Sequence, residues 1–219
     1  MGINIAVDGP AGAGKSSIAK EASARLGFIY VDTGALYRSV ALYALENDAL
    51  EQDKLIKSLD KINVELKFIS GVQHVLLCGR DVSDKIRTPE VSMNASKVSA
   101  VPEVRKFLFG LQQKIAAEND IIMDGRDIGT VVLPNADLKV FLTASAEERA
   151  KRRFLEMKDK PDCPSYEEIL EDINKRDYND MHRETAPLKR AENAVLLDTT
   201  EMTKAQVVEK LIAMIEGVR

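Results

Sequence analysis

The sequence of 219 residues contains no tryptophan, two cysteines and two histidines, and it has neither an excess of basic residues nor a long apolar run. Cys78 and Cys163 stand far apart, so we expect neither a disulfide framework nor a cysteine zinc site. A formal net charge of -4 provides no general basic field for nucleic acid or membranes. We therefore expect a soluble, cytoplasmic monomer that binds neither nucleic acid nor membrane.

Short apolar runs alternate with longer stretches of helical periodicity along the chain. Five runs are apolar without polar alternation, which is typical of strands whose two sheet faces are both covered by helices. They occupy residues 3–7, 28–31, 121–124, 138–142 and 194–198. This order predicts an α/β fold of βα units around a parallel sheet flanked by helices.

Two segments interrupt this pattern. Residues 62–69 alternate apolar and polar side chains, and residues 72–78 follow across a short turn that holds Gly71, which predicts an antiparallel hairpin. The hairpin indicates a small inserted domain over roughly residues 35–105. Residues 154–165 are polar and contain proline, and they are either a short mobile lid or an ordinary surface loop.

A phosphate-binding loop is predicted between the first strand and the first helix. Gly9, Gly14, Lys15 and Ser16 satisfy the pattern G-x-x-x-x-G-K-[ST], and the flanking strand and helix are what that pattern requires. Glycines at 9, 12 and 14 let main-chain N–H groups approach phosphate oxygens. Lys15 would reach the β- and γ-phosphates of a nucleoside triphosphate, and Ser16 would offer its hydroxyl to Mg²⁺.

Arginines stand beside the predicted strand ends, where open α/β sheets bind their ligands. Arg38 and Arg126 follow two strands, and Arg176 and Arg183 precede the last one. Guanidinium groups grip phosphate bidentately, so converging arginines favour a phosphorylated acceptor. Asp124 ends a strand and is either a Mg²⁺ ligand or a cap of the next segment.

The sequence N-K-R-D at residues 174–177 spells the guanine-specificity box of GTPases. That box belongs in a loop after an apolar strand, whereas here it continues a helical stretch. No aspartate has a glycine three residues later, so the D-x-x-G pattern of a GTPase is missing. We therefore do not favour a GTPase.

Six segments stand out in order along the chain: DGPAGAGKSS, VDTGALYR, IRTPEVS, MDGRDIGTVV, EERAKRR and RDYNDMHRETAPL. Together they resemble the bacterial cytidylate kinase family over nearly the whole chain. The resemblance implies a P-loop nucleoside monophosphate kinase fold with a five-stranded parallel core at residues 1–34, 106–148 and 167–219. It also implies a monophosphate-binding insert with a small antiparallel sheet at residues 35–105 and a short lid in the region 149–166.

The same resemblance implies transfer of a phosphoryl group from ATP, with Mg²⁺, to CMP or dCMP. Lys15, Arg126 and Arg183 would be catalytic. The implied ATP contacts are Gly9, Pro10, Ala11, Gly12, Ala13, Gly14, Lys15, Ser16, Ser17, Arg149 and Arg153, and the implied metal ligands are Ser16 and Asp124. Arg149, Arg152 and Arg153 either resemble the lid-side arginines that close over the triphosphate or form a solvated helix face. The implied CMP contacts are Thr33, Arg38, Ser96, Arg105, Arg126, Asp127, Arg176, Asp180 and Arg183.

Within that set, Arg38, Arg126 and Arg183 would hold the acceptor phosphate. Ser96, Arg105 and Asp127 would read the cytosine edge, and Arg176 and Asp180 would contact the ribose. Two alternatives stay open: a kinase for another acceptor such as UMP, AMP or shikimate, and a P-loop module that binds nucleotide as a switch.

Overall fold

A computed structural model describes residues 2–69, 72–159 and 163–219 of the protein. Its main sheet has five parallel strands in the order β2-β6-β1-β7-β8. The strands are β1 (Asn4–Asp8), β2 (Ile29–Asp32), β6 (Ile121–Gly125), β7 (Leu138–Thr143) and β8 (Val195–Asp198). The five predicted strands are confirmed, each with ends that differ by no more than one residue.

Both faces of the main sheet are covered, as the lack of alternation in its strands predicts. On one face, Ile5 and Val7 of β1 pack with α1 (Lys15–Leu26) and α8 (Lys204–Glu216). On the other face, Ala6 of β1 packs with α5 (Pro102–Glu118). Because β1 is the central strand, the loop after Asp8 begins in the middle of the sheet edge at which the parallel strands have their carboxyl ends.

A second, smaller sheet contains β3 (Val64–Ile69), β4 (Val72–Leu77) and β5 (Arg80–Asp81), all antiparallel. The predicted hairpin is confirmed, although the turn at Gly71 lies outside the described residues. β5 was not predicted, because two exposed residues give no periodicity. The sheet packs through a separate apolar cluster on α2 (Thr33–Glu46), α3 (Gln52–Ser58) and α4 (Pro89–Val98).

Two further helices pack against each other beside the main sheet, α6 (Ala146–Met157) and α7 (Tyr166–His182). α6 continues into the predicted interruption because Phe154 packs on the apolar face of α7. Residues 160–162 of the predicted lid lie outside the described residues. The N-K-R-D sequence lies within α7, as predicted. None of the helices in the described ranges is both long and apolar enough to cross a membrane.

Candidate active site

The loop between β1 and α1 has the backbone that its glycines predict. At Gly9, a Cβ atom would lie 1.9 Å from the carbonyl oxygen of Leu142, so the loop passes too close to β7 for any side chain. Gly14 caps α1 with a φ of 88°, which places it in the left-handed region. The first N–H groups of α1 therefore open next to this loop, an arrangement that favours anions.

Lys15 is the buried cation of this loop. Its Nζ atom donates a hydrogen bond of 2.8 Å to the carbonyl oxygen of Pro10. Burial and the nearby charge of Arg126 lower the pKa of Lys15 well below its ordinary value, while the carboxylate of Asp124 opposes that shift. The ammonium thus lies between the loop and the charged groups at the end of β6.

Asp124 connects the loop to that strand end. Its two carboxylate oxygens accept hydrogen bonds from the Ser16 hydroxyl at 2.7 Å and the Tyr30 hydroxyl at 3.0 Å. Burial and the charge of Asp32 raise the pKa of Asp124 to about 6. Both donors are hydroxyls on other elements, so the carboxylate does not cap the segment that follows it.

The pair formed by Ser16 and Asp124 fits a magnesium ion. A hydroxyl and a carboxylate are hard oxygen ligands, and Mg²⁺ takes only one or two of its ligands from the protein when phosphates supply others. Within residues 2–69, 72–159 and 163–219, no group of three or more His, Cys, Asp or Glu side chains is arranged to hold a metal. The described residues therefore contain no site in which protein side chains alone would surround a metal ion. They are compatible with a site in which bound phosphates supply the other ligands.

Two arginines beside the loop are oriented by carboxylates. Arg38 pairs with Asp32 at 2.7 Å, and the other oxygen of Asp32 accepts the Ala35 N–H at the start of α2. Arg126 pairs through its Nε atom with the buried Asp180 at 2.8 Å. Among the described residues, Arg38 Nε is buried without a hydrogen-bond partner. Each carboxylate fixes one side of a guanidinium and leaves other N–H donors for a ligand.

Asp127 lies two residues after β6 and is held between two more arginines. Arg105 donates to one of its oxygens, and Arg183 lies 3.5 Å from the other. The ring of Tyr37 supports the Arg105 guanidinium, whose carbon lies 5.5 Å from the ring centre. The buried carboxylate of Asp127 is therefore held in one orientation by Arg105 and Arg183.

Ser99 also belongs to this corner, although it was not predicted. Its carbonyl oxygen accepts from Arg105 at 3.2 Å, and its hydroxyl lies 3.5 Å from Arg183 Nη1. The predicted Ser96 is half-buried one helical turn earlier, and its carbonyl oxygen accepts the Ser99 hydroxyl at 2.8 Å. The spacing of three residues, which puts both on one helix face, was the available signal.

The ribose candidates lie four residues apart on α7. Asp180 is buried, whereas Arg176 is exposed on the surface of α7. The positive charges of Arg126 and Arg176 both lower the pKa of Lys15. Thr33 is buried at the start of α2, where its hydroxyl donates to the Asp124 carbonyl oxygen at 2.7 Å. These predicted residues are therefore linked to the loop, Thr33 through Asp124 and Asp180 through Arg126.

The three arginines of α6 lie in different surroundings. Arg149 is buried and donates to the carbonyl oxygens of Ala11 and Ala144, at 2.8 and 2.9 Å, and it pairs with Asp177 at 2.7 Å. The guanidinium thus supports the loop from the side of α6 and α7. Asp177 was not predicted, because its burial depends on the packing of those two helices.

Arg152 and Arg153 lie away from the loop. Arg152 donates to the Thr199 carbonyl oxygen at 2.7 Å. Arg153 is exposed and pairs with Glu156 at 3.3 Å on its own helix. The structure therefore brings one of the three arginines to the phosphate-binding loop.

A family model described as "Cytidylate kinase" matches residues 5–217. The chain belongs to the cytidylate kinase family. A cytidylate kinase of Caldicellulosiruptor bescii is 52% identical over 97% of this chain and 95% of its own length. A cytidylate kinase of Lactobacillus gasseri is 47% identical over 98% of this chain and 94% of its own length. The family assignment therefore applies to both sheets and to the whole site.

A solved structure of an uncharacterized protein from Eubacterium ventriosum resembles this family member in fold. The two share 12% identity with a TM-score of 0.56, and the alignment covers 98% of each chain. At that identity the likeness extends to the fold alone.

Proposed function

We propose that this chain transfers the γ-phosphoryl group of ATP to CMP and dCMP, forming ADP with CDP or dCDP. Membership of the cytidylate kinase family supports this reaction. The geometric observation that carries the proposal is the buried carboxylate of Asp127, held between Arg105 and Arg183 next to Arg126. It offers a fixed hydrogen-bond acceptor among several guanidinium groups.

On the donor side, main-chain N–H groups of residues 11–17 would hold the ATP phosphates together with the N-terminus of α1. Lys15 would exchange its bond to Pro10 for the β- and γ-phosphates. Arg149 would keep the loop in place through Ala11. Arg153 would contact the triphosphate only after it leaves Glu156.

Magnesium would be held by Ser16 and, directly or through water, by Asp124. When bound, the ion supplies positive charge to the β- and γ-phosphate oxygens. The two side chains already lie in hydrogen-bond contact, so the protein contributes a prearranged pair of oxygens.

On the acceptor side, Arg38, Arg126 and Arg183 would hold the monophosphate of CMP. Their charges would neutralise the charge that develops on the transferring group, and their fixed positions would align the acceptor oxygen with the γ-phosphorus. A monoester oxygen is largely ionised at pH 7, so the reaction needs no general base. Closure over the site would exclude water, which otherwise competes as acceptor.

Asp127 would select cytosine by accepting a hydrogen bond from the exocyclic amine. Arg105 and Ser96 would donate to the ring nitrogen and the carbonyl oxygen of the base, while Arg176 and Asp180 would contact the ribose. Uracil presents a carbonyl oxygen where cytosine has its amine. Two facing acceptors cost roughly 1–3 kcal/mol, so we expect CMP to be preferred over UMP by one to two orders of magnitude.

A coupled assay of ADP release with CMP, dCMP, UMP, AMP and shikimate tests the reaction. We expect turnover with CMP and dCMP and much weaker turnover with UMP. Turnover with UMP or shikimate but not CMP would assign a different acceptor. Binding of ATP without any ADP release in the presence of CMP would favour the switch module, which the missing D-x-x-G pattern and the arginine-rich acceptor side argue against.

We also propose that the enzyme acts as a monomer in the cytoplasm. The low cysteine content supports a reducing compartment. Light scattering during size exclusion should give the mass of one chain, whereas twice that mass would contradict the monomer.

A further inference from the structure

Asp8 is a buried carboxylate to which the reaction assigns no direct contact. It is the last residue of β1, it precedes the phosphate-binding loop and it is 5% exposed. One of its oxygens accepts the Ile128 N–H at 2.8 Å, and the other accepts the Gly129 N–H at 2.7 Å. Both oxygens are therefore directed at the backbone of a segment 120 residues away in the sequence.

These two N–H groups open a π-helical turn, Ile128–Val132, that directly follows Asp127. Within the turn, the Val131 and Val132 N–H groups donate to the carbonyl oxygen of Asp127, at 2.9 and 3.2 Å. The main chain of Asp127 is thus fixed by the turn, and the turn is fixed by Asp8. A π-turn is an uncommon element that often lies at functional sites.

The contact is closely packed and needs a carboxylate. A Cβ atom at Gly129 would lie 3.1 Å from the side chain of Lys139 and 3.4 Å from an Asp8 oxygen. Asparagine has one acceptor oxygen, so its NH₂ group would face one of the two N–H donors. Burial raises the pKa of Asp8 to about 6 in spite of those two hydrogen bonds. The two hydrogen bonds therefore offset only part of the cost of burying this carboxylate.

We propose that Asp8 is a positioning residue that fixes the base-reading carboxylate of Asp127 relative to the phosphate-binding loop. The inference rests on the proposed role of Asp127 in cytosine recognition. Since Gly9 follows Asp8 directly, one residue joins the donor loop to the turn that begins immediately after Asp127. Through this contact, Asp8 acts on the choice of base without touching the base.

The test is the ratio of kcat/KM for CMP to that for UMP in Asp8→Asn, Asp127→Ala and the double variant. Asp8→Asn should lower the ratio by about fivefold to tenfold, the effect of a lost charge-assisted hydrogen bond. KM should rise more for CMP than for ATP. In the Asp127→Ala background, Asp8→Asn should leave the ratio unchanged, because the residue it positions is gone.

Asp137→Asn is the matched control. Asp137 also accepts a main-chain N–H of β1, that of Asn4 at 2.8 Å, at the opposite end of the strand. This variant should keep the wild-type ratio. If Asp8→Asn does not fold, Gly129→Ala disturbs the same contact from the other side and should lower the ratio in the same direction.

The outcomes separate the two proposals. A reduced ratio in Asp127→Ala together with an unchanged ratio in Asp8→Asn would overturn the positioning role alone. An unchanged ratio in Asp127→Ala would overturn cytosine reading by Asp127, and the positioning role with it. Equal losses of kcat/KM for both nucleotides in Asp8→Asn would show a general structural effect and would also overturn the inference.

Discussion

The two sides of the proposed site would hold phosphate by different means. The proposed donor side is one continuous loop, residues 9–14, in which glycine conformations and the first turn of α1 would provide the binding groups. The acceptor side brings charged side chains together from α2, α5, the end of β6 and α7. Its arginines are paired with carboxylates, as Arg38 is with Asp32 and Arg126 with Asp180.

The donor loop is determined by residues that are adjacent in the sequence, whereas the acceptor side is determined by tertiary packing. A loop that binds through its own main chain needs only a short run of correct residues and a strand to start from. A cluster of guanidiniums needs each partner carboxylate to be delivered by another element. Substitutions on the donor side should therefore act on chemistry with the fold intact, whereas those on the acceptor side should act on chemistry and stability together.

The largest effect is expected from Lys15→Ala. Loss of the cation at the β- and γ-phosphates should lower kcat about 10³-fold, since a preorganised charge at the transferring group contributes several kcal/mol. The thermal midpoint should stay near that of the wild type, because burial already disfavours this charge. Lys204→Ala, an exposed lysine paired with Glu21, is the control and should keep full activity. A Lys15→Ala variant with wild-type kcat would contradict the proposed role of Lys15 at the β- and γ-phosphates.

Arg126→Ala should lower kcat/KM for CMP about 10²-fold and also reduce stability. The stability loss follows because Asp180, with an 8% exposed side chain, would lose its guanidinium partner. Adding Asp180→Asn should restore the thermal midpoint without restoring activity. Arg80→Ala, which breaks an exposed pair with Glu46, should change neither quantity. Recovery of activity in the double variant would contradict a phosphate role for Arg126.

A further prediction concerns how the contribution of Asp8 to stability depends on pH. The folded pKa of Asp8 is about 6, above the ordinary 3.8, so the folded state binds this proton more tightly than the unfolded state. The stability of the wild type relative to Asp8→Asn should therefore fall as pH rises from about 4 to about 6, by on the order of 2–3 kcal/mol, and then level off. Urea unfolding of both proteins across that range measures the difference. A difference that stays constant or rises with pH would contradict a buried, desolvated carboxylate.

The main sheet and the donor loop were predictable because their signals are local. An apolar run without alternation marks a strand covered on both faces, and the glycines mark the loop, so Asp8, Gly9 and Gly14 lie where the pattern requires. The hairpin was predictable from alternation for the same reason. The two-residue strand β5 left no such signal.

The connections within the site were not predictable from the residues alone. The π-turn Ile128–Val132 has no composition that distinguishes it, and the bonds from Asp8 to that turn depend on the pairing of β1 with β6. The arginines of α6 could not be told apart from the sequence. In the structure, packing against α7 buries Arg149 and leaves Arg153 exposed. Ser99 and Asp177 joined the site through partners that are distant in sequence.

A crystal structure with CMP and a nonhydrolysable ATP analogue is the most direct test of the proposal that the loop binds the donor and the arginine cluster binds the acceptor. The triphosphate should lie on the main-chain N–H groups of residues 11–17. The monophosphate should lie on Arg38, Arg126 and Arg183, with the cytosine amine within hydrogen-bond distance of Asp127. A monophosphate bound elsewhere, with those arginines turned to solvent and the base away from Asp127, would contradict it.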